Sequence, residues 1–346
     1  MSPSNVESSS VGEPAEQEDA QRLALVATLL NESSRLGTFL EGINQCLPYV
    51  DSVVLVDGGS SDGTQEHLRD WASTRDKVSV HSVPGANIAE GRNLAIARSA
   101  APWVLVTDAG CTAGATWALA LAEAAEAASD NIVAFKGHYT LRGDGWISDR
   151  IAACLEPSDA CHRSSRNLPS SRSFAVRRES WAAVGGYPTS TLTGEDTKFG
   201  RLLTDLGDIS YVPDASVTWF APRSLTELFA KYRRYGRDDA LLGQSRIFAV
   251  RTALVWVPMV VVGLLPLRTH LRVSLPPATY LSYAALLTVR KSMGGARSSP
   301  LSLFMGNILC LAAKDLGYLG GYVEGVTVEH RSCTGKWLSG IAHAHL

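Results

Sequence analysis

Beyond a polar N-terminal stretch, the chain alternates short apolar runs with longer amphipathic or alanine-rich segments. Leu23–Leu30 and Val53–Val56 are apolar almost without interruption, as strands buried on both faces are. Lys77–Val83 and Trp103–Thr107 read as two more strands. Between them lie segments of helical character. One is opened by Asn31-Glu32-Ser33 and runs to about Cys46, one starts at Asp62 with Ser61 as its cap, and a third covers Ala89–Ser99. Thr112–Ser129 is alanine-rich and strongly helix-forming. This alternation predicts a parallel α/β sheet with helices on both faces. Such sheets bind ligands beyond the carboxyl ends of their strands, where this chain carries Asn31, Asp57 and Asp108.

The pattern changes after Gly243. Thr252–Leu267, Val273–Val289 and Ser298–Ala313 are uncharged stretches of 16 or 17 residues. That length lies at or just under the ~17–25 residues of a spanning helix. Apolar all round, they predict membrane-associated helices over a buried subdomain. Both connections are basic, with Arg268 and Arg272 in one and Arg290, Lys291 and Arg297 in the other. Three full spans would set these connections on opposite sides, against the positive-inside rule, so a hairpin or interfacial helix is expected in the set. The chain therefore divides into a tail at 1–21, an α/β domain at 22–245, a membrane-associated helical region at 246–328 and a C-terminal tail at 329–346.

Composition narrows the class. Of 346 residues, 45% are apolar and 19% charged, which excludes a mainly disordered or fibrous protein. Met1–Ala20 has neither the basic start nor the apolar run of a secretion signal, so it is expected to be disordered. Lys and Arg (32) nearly balance Asp and Glu (34), leaving a net charge of −2 and no global field for nucleic acid. The six cysteines show no metal-ligand spacing and read as reduced thiols facing the cytosol.

Four segments offer chemistry. Asp57-Gly58-Gly59-Ser60-Ser61-Asp62-Gly63-Thr64 follows a strand, and its glycines let backbone pass close to a ligand; an ordinary strand-to-helix turn would use the same residues. Asp108, in Val106-Thr107-Asp108-Ala109-Gly110-Cys111, is a strand-end carboxylate that suits a cation neutralising a diphosphate, or simply a turn before Gly110. Glu195-Asp196 opens a helix read as Thr197–Leu206, where acidic residues serve either as N-terminal caps or as a general base. Lys231-Tyr232-Arg233-Arg234-Tyr235-Gly236-Arg237-Asp238-Asp239 mixes cations and aromatics, which suits a pyrophosphate, anionic lipid or nucleic acid alike.

Taken in order, these segments resemble the family 2 glycosyltransferases, which have the GT-A fold. The resemblance spans about residues 22–240. It rests on Ala27-Thr28-Leu29-Leu30-Asn31-Glu32, the Asp57–Thr64 turn, Gly91-Arg92-Asn93, Val106–Cys111, Pro169-Ser170-Ser171-Arg172-Ser173, Gly185-Gly186-Tyr187-Pro188, Gly194-Glu195-Asp196 and Arg234-Tyr235-Gly236-Arg237. It implies a Rossmann-like nucleotide-binding sheet followed by membrane-associated helices. It also implies that Thr28, Asn31, Glu32, Asp57, Arg92 and Asp108 bind the nucleotide, with Asp57 facing the base. Asp196 would be the catalytic base, with Glu195 beside it orienting the acceptor. Arg172, Arg234 and Arg237 would meet the diphosphate or acceptor.

The implied reaction is inverting transfer of a sugar from a nucleotide donor, expected to be UDP-linked, to a hydroxyl of a lipid or cell-envelope glycan. The catalytic domain would lie on the cytoplasmic side of the cell membrane. The alternatives are a processive polysaccharide synthase, which needs more convincing spans, and an inactive membrane-tethered nucleotide-sugar-binding protein. Two motifs depart from the family pattern: its Asp-Asp pair reads Asp57-Gly58, and its Asp-x-Asp motif reads Asp108-Ala109-Gly110. The second change removes a carboxylate that often ligates the metal, so Mn²⁺ or Mg²⁺ would be held through Asp108, the diphosphate and waters.

Overall fold

The computed structural model describes residues 22–343 apart from 165–167, 191–192, 242, 244–245, 265–268 and 294–298. The expected tail at 1–21 and the basic residues Arg268 and Arg297 therefore lie outside the described residues.

The strands are β1 (Leu23–Leu29), β2 (Ser52–Asp57), β3 (Val78–Ser82), β4 (Trp103–Val106), β5 (Cys111–Thr112), β6 (Ile132–Arg142), β7 (Phe174–Arg177) and β8 (Asp208–Phe220). The helices of the sheet domain are α1 (Leu36–Cys46), α2 (Thr64–Ala72), α3 (Ile88–Arg98), α4 (Ala115–Glu126), α5 (Trp146–Leu155), α6 (Asp159–Arg163), α7 (Arg178–Ala183), α8 (Glu195–Thr204) and α9 (Leu225–Leu241). They are followed by α10 (Arg246–Leu264), α11 (Thr269–Met293) and α12 (Pro300–His343).

The described strands form one sheet of order β3-β2-β1-β4-β7-β6-β8-β5. β1 pairs in parallel with β2 and β4, and β2 with β3, so the half foreseen as parallel is parallel. β7 runs antiparallel between β4 and β6, and β5 antiparallel to β8. The residues of β1 are buried on alternate sides. Leu23, Leu25, Ala27 and Leu29 pack with α1 and α4 residues such as Phe39, Ile43, Trp117 and Leu121. Val26 packs with Ala95, Ile96, Val104 and Phe174 on the opposite face. Two buried faces explain why the sequence shows continuous apolar runs here.

Three local expectations change. The helix foreseen from Asp62 begins at Thr64, with Gly63 as its N-cap at φ 90° and no capping side chain. Ser61 is not its cap, because its N–H donates to Asn31 Oδ1 (2.9 Å) while Asp62 Oδ1 accepts from Thr64 N (3.1 Å). Thr112 belongs to β5, paired with Thr218, so the alanine-rich helix starts only at Ala115. α3 carries a capping box between Asn87 and Glu90, one position ahead of the expected start.

The apolar stretches fall on α10, α11 and α12, yet among the described residues no helix is long and apolar enough to cross a membrane. Charges interrupt each helix: Arg246 and Arg251 in α10, Arg290 and Lys291 in α11, Lys314, Asp315 and Glu324 in α12. One side of the set also packs on the sheet domain, where Ala284, Cys310 and Leu311 join Ile151, Cys154, Ala221 and Leu228 in one core. No spanning helix of the kind expected from the sequence is found among the described residues, and α11 and α12 dock in part on the sheet domain.

α9 and α12 approach unusually closely. A Cβ on Gly317, Gly321 or Gly325 would lie 2.6, 1.8 or 2.4 Å from the carbonyl oxygens of Phe229, Arg233 and Arg237. Gly236 does the same from the other side, 2.0 Å from Tyr318 O. This seam of glycines at four-residue spacing fixes the face that α9 turns toward the sheet.

Candidate active site

Two cavities adjoin at the carboxyl ends of β1, β2 and β4. The first, about 480 Å³, is lined by Thr28, Glu32, Gly58, Gly91 and Trp219, together with Lys231 and Arg234 of α9. The second, about 430 Å³, is lined by Arg92, Lys136, Tyr139, His162, Glu195 and Asp196, and reaches Phe248 of α10 and Tyr318 of α12. Ile88, Asp108, Arg172, Thr193 and Tyr235 border both.

The floor of the first cavity is made by close backbone packing. A Cβ on Gly91 would come 2.5 Å from Thr28 Cγ2, so glycine lets α3 lie directly on β1. Asp57 is fully buried and turns its carboxylate into the glycine-rich loop, accepting from Gly59 N and Ser60 N (both 3.0 Å) and from Ser60 Oγ (2.5 Å). Asn31 adopts the left-handed conformation (φ 56°) and clamps the same loop through Ser60 Oγ (2.8 Å) and Ser61 N. Asp57 and Asn31 therefore shape the loop and do not line the cavity.

Arg92 occupies the centre. Only 1% exposed, it donates from Nη2 to Asp108 Oδ1 (2.5 Å) and from Nη1 to Glu195 Oε1 (2.6 Å). Burial opposes its charge, but the two carboxylates outweigh burial and raise its pKa. Burial likewise works against ionised Asp108, yet Arg92 and Arg172 hold its carboxyl below the usual range. Glu195 is raised by burial and by the neighbouring Asp196 charge. Asp196 is half-buried in the second cavity, where its Oδ1 accepts from Thr197 N at 2.7 Å.

Arg172 stands between the cavities. Its backbone is held to the end of β4 by Thr107 Oγ1, which donates to Arg172 O at 2.9 Å. The adjoining Ser173 Oγ accepts from Trp117 Nε1 (2.9 Å) and donates to Ala215 O (2.7 Å). The guanidinium lies 4.1 Å from the Trp219 ring and 5.2 Å from Tyr139, and its Nε is buried with no hydrogen-bond partner among the described residues. Lys231 Nζ lies 3.8 Å from the centroid of the same Trp219 ring. Burial and Arg172 push Lys231 down to about 7, and a bound anion would favour its charged form.

Of the residues picked from the sequence, Thr28, Glu32, Asp108, Arg172 and Arg234 line the first cavity, and Arg92, Asp108, Arg172, Glu195 and Asp196 the second. Arg237 lies apart, pairing through Nε with Asp238 Oδ1 (3.2 Å) beside an outer groove with Phe229 and Glu324. Lys231, Tyr235 and Trp219 were not singled out individually. Helical spacing offered a signal for two of them, since Lys231, Arg234 and Tyr235 are three and four residues apart and so share a face of α9.

The donor set around Asp108 does not suit a divalent cation held by protein. One of its oxygens is taken by Arg92, Gly110 stands where a second carboxylate would be, and two cations face it. Among the described residues, no three His, Cys, Asp or Glu side chains gather in a metal-binding group.

Residues 25–184 match the sequence model described as "Glycosyl transferase family 2". The chain is 23% identical to glycosyltransferase AglE of Haloferax volcanii over 66% of its length and 79% of that protein. It is 28% identical to the succinoglycan biosynthesis protein ExoA of Rhizobium meliloti, over 62% of this chain and 68% of the other. Its fold resembles a mannosyltransferase of Pyrobaculum calidifontis solved with GDP-Man and Mn²⁺, with a TM-score of 0.53 at 18% identity, covering 89% of this chain and 86% of that one. The chain is thus similar to the family 2 glycosyltransferases through residues 25–184, and its fold resembles that of a solved glycosyltransferase.

Proposed function

We propose that the first cavity takes a nucleotide-sugar, UDP-linked, and that the second takes the acceptor hydroxyl, so that transfer occurs where the two meet. One observation carries this reading: Asp108, Arg172 and Tyr235 border both cavities, and Asp196 stands in the second with Arg92 and Glu195 behind it. The sugar carried at the junction would present its anomeric carbon to a hydroxyl in the second cavity. As the acceptor oxygen bonds to that carbon, its proton passes to Asp196. The bond to the diphosphate oxygen breaks on the opposite face, with its electron pair leaving on the nucleotide, and configuration inverts. Glu195, its carboxylate tied to Arg92, holds the acceptor side in position.

The acceptor would be amphiphilic, a lipid or a lipid-borne cell-envelope glycan. The second cavity reaches Phe248 and Tyr318, and beyond them α10 exposes Ile247 (76%), Val250 (58%) and Leu254 (69%). An apolar surface of this kind beside the exposed Arg246 and Arg251 suits helices lying in a membrane interface, with the catalytic domain on its cytoplasmic face.

A panel of UDP- and GDP-linked sugars tests the reading through donor hydrolysis. Turnover of a UDP-sugar, abolished in Asp196→Asn with nucleotide affinity retained, supports it. Turnover of GDP-sugars alone overturns the UDP assignment, and full activity in the variant removes Asp196 as the base.

A further inference from the structure

We infer that Arg172 and Lys231 together replace a divalent cation in this enzyme, binding and neutralising the diphosphate of the donor without metal. This rests on the first cavity being the donor site. The expectation of Mn²⁺ or Mg²⁺ at Asp108 meets a depleted donor set: Asp108 Oδ1 holds Arg92 at 2.5 Å, and Gly110 stands in place of the motif's second carboxylate.

The geometry at Gly110 gives the replacement its location. A Cβ built there would meet the Trp219 indole, with Nε1 at 3.7 Å. Arg172 and Lys231 are packed on that same indole, at 4.1 and 3.8 Å from its centroid. The direction in which a metal-binding side chain would extend thus leads to two cations. A divalent ion placed beside them would be repelled by both, whereas a diphosphate would be attracted by both.

Each cation is also built to receive an anion. Both line the first cavity, and Arg172 Nε lies buried without a hydrogen-bond partner among the described residues. Contact with one aromatic ring limits the rotamers of both side chains, so little further ordering is needed on binding. Arg172 is anchored from β4 through Thr107, and Lys231 from α9 through the glycine seam with α12. The planar guanidinium then meets the diphosphate with paired donors, and the Lys231 amine meets it as a point charge whose protonated form the bound anion favours.

The test is calorimetric titration of UDP, GDP and UMP into the full chain, in EDTA and in Mn²⁺. The expected result is diphosphate binding of equal affinity in both buffers. Lys231→Met should weaken binding of the diphosphate by ~10-fold or more, as loss of a charge-assisted contact does, and UMP by less. Lys231→Arg should recover most of the loss. Arg172→Lys serves as the second variant, with a thermal melt to verify folding, and should weaken the diphosphate in the same direction. Binding that appears only with Mn²⁺ overturns the inference while leaving the donor site in place. Metal-independent binding unchanged in folded Lys231→Met and Arg172→Lys overturns it too. Failure of every nucleotide to bind in either buffer removes the donor-site reading and the inference with it.

Discussion

Asp108 and Glu195, 87 residues apart in sequence, are joined by one buried guanidinium, with Arg92 at 2.5 Å from the first and 2.6 Å from the second. The strand end that borders the first cavity and the helix that opens the second are therefore held in one frame. Asp196, the next residue along that helix, inherits its position from this pairing.

Arg92→Met should be strongly destabilising, because it leaves two carboxylates without their shared partner. Breaking a buried ion pair from one side costs about 3–5 kcal/mol. Chemical denaturation would measure the loss. A fall of less than about 1 kcal/mol, typical of exposed pairs, would mean the network is not the frame described here.

Asp196→Asn should lower turnover by ~10²-fold or more with nucleotide affinity nearly unchanged, as removal of a general base does. Glu195→Gln keeps a hydrogen-bond acceptor for Arg92 and should lower turnover by less. Steady-state kinetics beside nucleotide titration distinguishes the two residues, and the reverse ranking would exchange their roles.

Gly321→Leu should separate α9 from α12, since even a Cβ at that position would stand 1.8 Å from Arg233 O. Overpacking of this kind costs about 1–3 kcal/mol, often more where backbone must move. Because α9 carries Lys231 and Arg234, nucleotide affinity should fall together with melting temperature. Gly320→Leu is the control, as nothing lies within 4 Å of its Cβ position.

His162 is buried beside His138, ring centroids 4.0 Å apart, and burial, then the His138 charge, lower it from 6.5 to about 4. A folded-state pKa below the unfolded one means the unfolded chain binds more protons in between. The stability it contributes is full above about pH 6.5 and is lost as pH falls toward 4. Melting curves between pH 7.5 and 4.5 should therefore show a shallower decline for His162→Gln than for the wild type. Parallel declines would remove His162 as the titrating group.

Leu254→Glu with Val257→Glu puts charge on the exposed face of α10, where these residues are 69% and 56% accessible. Flotation with anionic vesicles should recover the wild-type chain and lose most of the double variant. Equal recovery of both would remove α10 as the membrane-contacting face.

β1, β2 and β4 were legible in the sequence because burial on both faces writes itself as unbroken apolar runs such as Leu23–Leu29 and Val53–Val56, and β3, less buried, through its alternating Val78 and Val80. The ordered motifs likewise brought forward Thr28, Asp108, Arg172, Glu195 and Asp196, all of which line the paired cavities. Periodicity could not tell whether α10, α11 and α12 cross a membrane or dock against protein, since a helix packed on Ile151 and Leu228 and a helix in lipid demand the same apolar residues. Nor could it assign Asp57, whose carboxylate turns back onto its own loop amides instead of into the cavity. The charge balance at Asp108 was decided wholly by tertiary structure. Arg92, Arg172 and Lys231 lie 16, 64 and 123 residues away in the chain, and only the packing of α3, the loop before β7 and α9 around one strand end brings them together. Electrostatics acts over a few ångströms of space, a distance that sequence separation does not encode.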